Sequence, residues 1–78
     1  MKTFSFLGFT ITPDIFEYYE CSMTPWGPGC VITAPDGQVS QRFAVNKLVA
    51  SKQEATTLAI KYGIRLVKEY LNERREIF

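Results

Sequence analysis

The chain has 78 residues, 46% of them apolar and 14% aromatic, enough for one modest core and too apolar for a disordered segment. Its net charge of +1 excludes a molecule drawn as a whole to nucleic acid or acidic lipid, and no apolar run approaches the ~18 residues of a membrane span. A single domain over residues 1–78 is expected, with strands at about 3–43 and a helix at about 52–75.

The N-terminus, Met1-Lys-Thr-Phe-Ser-Phe-Leu-Gly-Phe9, opens as a signal peptide would. It then alternates polar and apolar residues and lacks both a long apolar centre and a small-residue cleavage site, so it reads as a strand of a cytoplasmic protein. Phe4 and Phe6 share one parity and Phe9 and Ile11 the other, which predicts a bulge at Gly8. Thr12-Pro-Asp14 signals a turn, and Ile15 to Met23 alternates as a second strand with aromatics on both faces. Thr24-Pro-Trp-Gly-Pro-Gly29 reads as an irregular loop with Trp26 at its tip. Cys30 to Ala34 is a short strand, and Pro35-Asp-Gly37 is a tight turn. Gln38 to Phe43 alternates strictly, so pairing across that turn would place Val39 and Phe43 on the face of Cys30 and Ile32.

From Ser51 onward the period changes to that of a helix. Ser51-Lys-Gln-Glu54 is a capping box, and no proline follows before Arg75. At about 100° per residue, Ala55, Leu58, Ala59, Tyr62, Leu66 and Tyr70 form one apolar stripe. Ile60, Ile64, Val67 and Leu71 form a second beside it, and Lys61, Arg65, Lys68, Asn72 and Arg75 fill the remaining face. The apolar arc exceeds the roughly 100° that one core-facing side requires, so the second stripe is expected to meet either the curled edge of the sheet or another chain. The fold class that follows is α+β: an antiparallel meander of three to four strands and one long C-terminal helix packed on the sheet through Leu58, Tyr62, Leu66 and Tyr70.

The chemistry is sparse. Without histidine, the usual serine or cysteine triads are excluded, and there is no P-loop or dinucleotide glycine pattern. Asp14, Glu17 and Glu20 read as solvated charges. Cys21 and Cys30 match no zinc spacing and read as reduced, buried thiols. No catalytic residue, metal or cofactor is expected, and the chain is not read as an enzyme.

The second helix stripe instead has the character of an interface. Ile60, Ile64, Val67 and Leu71, with Trp26 at its loop tip, predict a non-enzymatic interaction domain that forms a homodimer, with Gly63 permitting close approach of the second copy. The alternative is a nucleic-acid-binding module that uses Lys61, Arg65, Lys68 and Arg75. No membrane partner is expected.

The order of elements, with Gly8-Phe-Thr-Ile-Thr-Pro13 early and Ser51-Lys-Gln-Glu-Ala-Thr-Thr-Leu-Ala-Ile-Lys-Tyr-Gly63 late, resembles small bacterial proteins of a sheet-then-helix type. It is also similar to the β-β-β-α core of double-stranded-RNA-binding domains. The resemblance implies a fold, and it carries no binding residues onto this chain.

Overall fold

The computed structural model describes every residue except Met1, Cys21 and Ser22. The fold is α+β. Strands β1 (Phe4–Phe6), β2 (Phe9–Pro13), β5 (Gly29–Thr33) and β6 (Phe43–Ala44) form an antiparallel sheet in the order β1-β2-β5-β6. Between β2 and β5 the chain makes a separate two-stranded sheet from β3 (Phe16–Glu17) and β4 (Trp26–Gly27). Helix α1 (Lys52–Leu71) packs mainly on β2 and β5, leaving β1 only lightly covered.

Between β1 and β2 the chain forms a turn where the alternation predicts a bulge. Phe6 pairs directly with Phe9, and Leu7 and Gly8 make a two-residue turn with φ of 51° and 84°. Positive φ at both central residues is the hairpin geometry whose twist matches the strands it joins. Phe4 stands opposite Ile11 and Phe6 opposite Phe9, so all four point toward the helix. The change of parity that reads as a bulge is the turn itself.

The predicted strand over Ile15 to Met23 is realised only at Phe16–Glu17; Cys21 and Ser22, which fall in it, lie outside the described residues. The small sheet is tied to the rest by backbone. The Trp26 N–H donates to the Val49 carbonyl at 3.1 Å and the Val49 N–H to that of Trp26 at 2.9 Å, so Val49 adds a third rung just ahead of the helix. Trp26 is thus half-buried in a ladder and does not cap a loop tip.

Past the Pro35-Asp-Gly37 turn the expected alternation fails at one point. Val39 pairs with Thr33, on the face away from the helix, and is 63% exposed. Phe43 pairs with Cys30 on the helix face as expected. Ser40 lies opposite Ile32: its N–H donates to the Ile32 carbonyl at 2.9 Å, and its Oγ accepts from the Ile32 N–H at 2.9 Å. From Ile32 to Cys30 is two residues on β5, and from Ser40 to Phe43 is three on the facing chain. The extra residue is a bulge that resets the parity, and the Ser40 hydroxyl replaces the missing carbonyl rung.

The helix begins as its capping sequence predicts, with the Ser51 Oγ accepting from the Glu54 N–H at 3.1 Å. It ends four residues before Arg75. Glu73 takes φ of 58°, the Arg74 N–H donates to the Glu69 carbonyl at 2.8 Å, and the Glu73 N–H donates to that of Tyr70 at 3.1 Å. These are the two bonds of a Schellman stop, here with glutamate where glycine is usual. The reversal returns Ile77 to the core and sets Phe78 against Phe9 and Tyr70, with ring centroids 6.4 and 5.4 Å apart.

Ile11, Cys30 and Ile32 of the sheet, with Ala55, Ala59, Leu66 and Val67 of α1, are fully buried. Gly63 is also buried, and a Cβ there would stand 2.5 Å from Ile11 Cγ2. The close approach that Gly63 permits is therefore to the chain's own sheet.

Candidate functional site

The helix meets the sheet along a seam of Ala55, Ala59, Gly63, Leu66 and Val67, which joins Ala55, Ala59 and Leu66 of the first stripe to Val67 of the second. Leu58 and Tyr62 flank the seam half-buried on one side and Ile60 and Ile64 do so on the other, while Tyr70 continues the seam at the C-terminal end of the helix, half-buried against Phe9 and Phe78. The expectation that Leu58 and Tyr62 form the centre of the contact is corrected to the edge of it, and Tyr70 packs on the core from the end of the helix. Leu66 lies at the centre as expected.

The predicted interface residues divide. Val67 is 0% exposed and belongs to the core, so it offers nothing to a partner. Its position on the helix is nearest the seam, and a wide apolar arc leaves the most inward residue of either stripe buried. Ile60 and Ile64 pack partly on the core, and Leu71, the last helical residue, is 49% exposed. Trp26 lies in the small sheet, held by the Val49 rungs. Two apolar residues outside the sequence-based set are also exposed. Phe4 on β1 is 41% exposed, and Leu7 at the hairpin turn is 65% exposed. Had Leu7-Gly8 been read as a two-residue turn, the leucine would have stood out: that position favours asparagine, aspartate or glycine.

The predicted cations also divide. Arg65 Nε lies 3.0 Å and Arg75 Nε 2.9 Å from opposite oxygens of the Glu69 carboxylate. The hydrogen bond from Arg65 leads the effects that hold this carboxyl below its usual range. Lys68 reaches over the Phe6 ring at 5.9 Å. Lys61 is exposed beside β1 and lines a groove there.

That groove has a volume of about 350 Å³ and is walled by β1 (Phe4, with Lys2 and Thr3 before it) and by Thr56, Thr57, Ile60 and Lys61 of α1. Through Lys2 and Thr56 it continues into a second hollow of about 420 Å³ that reaches Asp14, Ile15 and Lys52. Asp14 is engaged elsewhere, with its carboxylate 3.2 Å from Arg42 Nε. Arg42 also donates to the Asp14 carbonyl from Nε and Nη2 at 3.2 and 2.9 Å, and its guanidinium lies 4.2 Å over the Phe16 ring. One arginine thus fastens the start of the small sheet to the main one.

Cys30 is a buried free thiol on the helix face of β5, and burial pushes its pKa up to about 11, against the pull of nearby Arg42. Cys21 lies outside the described residues. Among the described residues, no three His, Cys, Asp or Glu side chains gather as a metal site requires. No helix among the described residues is long and apolar enough to cross a membrane.

Compared with protein-family models, with curated proteins and with solved structures, the chain matches none.

Proposed function

We propose that this chain is a non-enzymatic protein-interaction domain of the cytoplasm that associates with a second copy of itself. The observation that carries the reading is the flank of α1 on the β1 side. Ile60, Ile64 and Leu71 run along it in line, and Leu71 is half exposed. Leu7 adds a bulky apolar side chain at a turn whose backbone favours small polar residues. A local rule broken without gain to the fold marks a position kept for contact. Two-fold pairing is the commonest way for a small domain to cover such a surface, and here it would centre on Ile64, Leu71 and Leu7. A free, buried Cys30 suits a reducing compartment.

The test is light scattering at about 100 µM, well above the micromolar affinity of a modest interface. The wild type should be a dimer. Leu7→Glu combined with Leu71→Glu should be a monomer with unchanged circular dichroism, since both side chains stand outside the core. A monomeric wild type at that concentration refutes the reading.

A further inference from the structure

We infer that the free edge of β1, with the groove beside it, binds an extended peptide segment rich in carboxylates, which adds to the sheet as a fifth strand. The inference rests on the reading of this chain as an interaction domain and names a partner class for the groove end of the same flank. It does not depend on the dimer.

The backbone comes first. β1 ends the sheet, so among the described residues one side of it has no partner strand. Phe6 and Phe9 flank a two-residue turn, which makes them a hydrogen-bonded pair. Bonded and non-bonded pairs alternate in an antiparallel ladder, so Phe4 and Ile11 are bonded and Ser5 and Thr10 are not. The N–H and C=O of Ser5 therefore point outward, and those of Thr3 follow by the same alternation. Free edges are commonly blunted by proline, a bulge or an inward charge. From Thr3 to Phe6 there is none of these.

The side chains then choose the occupant. An added strand would project alternate residues over Phe4 and toward Ile60 and Thr57 on the helix wall. Lys2 and Lys61 stand at the groove and Lys52 at its continuation. The one carboxylate among the described residues that line the two hollows, Asp14, is held by Arg42. This positive rim complements glutamate or aspartate on the incoming strand. Lys2 to Phe6 carries no carboxylate, so a second copy adding through its own β1 would bring nothing to match these lysines. Nucleic acid is disfavoured by an apolar floor and by Glu69, which occupies both Arg65 and Arg75.

The probe is a fluorescein-labelled, end-capped hexapeptide of alternating valine and glutamate, read by anisotropy in low salt. It should bind with a dissociation constant below about 100 µM. The valine–lysine counterpart should fail to bind at ten times that concentration. Ser5→Pro removes an outward N–H without touching the β1–β2 ladder, and should weaken binding at least tenfold. Lys61→Glu should do the same. N-methylation of alternate peptide amides, which leaves the protein unaltered, should abolish binding in one of the two registers. The proposal is overturned if the glutamate peptide does not bind, or if it binds equally to Ser5→Pro and resists N-methylation in both registers. It is also overturned if a mixed-sequence oligonucleotide binds more tightly than the peptide, or if Ser5→Pro dissolves a wild-type dimer, since a second copy would then hold the edge. Light scattering on the same samples separates these outcomes from a failure of self-association alone.

Discussion

The seam of α1 and its β1-side flank carry apolar residues at the same helical period, and the structure treats them in opposite ways. The seam is built largely from Ala55, Ala59 and Gly63 and is buried; the flank is built from Ile60, Ile64 and Leu71 and is half open. Beside Ala55, Ala59 and Gly63 the bulkier flank is the wetter side, while Leu66 and Val67 continue the seam as bulky, fully buried residues. Small residues let the helix axis come down onto Ile11, and the depth of that approach leaves the bulky residues of the flank overhanging β1, which the helix hardly covers. Periodicity reports the width of an apolar arc. The small residues at Ala55, Ala59 and Gly63 mark where the arc is pressed closest to the sheet.

The comparison is most strongly tested at Leu66. Fully buried in the seam, it should lose about 2–5 kcal/mol of stability on replacement by alanine, measured by denaturant melts. A loss like that of a surface site would show that the seam is not the packed side. Gly63→Ala comes next. Helix propensity alone favours it by about 1 kcal/mol. The methyl would be driven into Ile11, and overpacking of that kind costs about 1–3 kcal/mol, so the variant should be the less stable protein. A more stable variant would mean that the helix can ride higher than described.

Cys30 sharpens the comparison from the sheet side, because it forms part of the floor that α1 covers. Its folded pKa of about 11 lies above the ordinary 9.0, so the folded state favours the protonated thiol. The stability this gives is fully present below pH 9 and is lost as the pH rises from 9 toward 11. Melts across that range should fall more steeply for wild type than for Cys30→Ala, and parallel slopes would place the thiol in contact with water. The smallest effect belongs to the flank. Leu71→Ala should change the protomer's stability by no more than about 0.5 kcal/mol, in keeping with an exposed position. A loss of several times that would return Leu71 to the core.

The long-period features were legible in the sequence. The helix start at Ser51, the turn at Gly37 and the Cys30 to Thr33 strand follow from capping chemistry, turn residues and a run of β-formers. What escaped turns on single residues used against type. Leu7 occupies a turn position that favours asparagine, Glu73 stops a helix where glycine is the usual signal, and Ser40 fills a bulge in an otherwise regular alternation. At Glu73 and Ser40 the tertiary structure overrides a local preference, and no window of neighbouring residues encodes that; the exposed Leu7 gains no packing from its position. The same limit applied to the site. Ile60, Ile64 and Leu71 were readable as a surplus apolar stripe, whereas the burial of Val67 and the exposure of Phe4 and Leu7 depend on where the helix settles.

Trp26 is the chain's only tryptophan, and it sits in the small sheet, bridged to Val49, outside the main core. Intrinsic fluorescence will therefore report the docking of the β3–β4 hairpin, while far-ultraviolet dichroism reports α1. The molecule carries two optical signals assigned to two different layers of its architecture. If both sheets melt as one cooperative unit, the two denaturation curves superimpose. If the Val49 rungs and the Arg42 clasp are the weaker link, the fluorescence midpoint falls first, and the gap between the curves measures how far the hairpin can loosen while the helix stays seated.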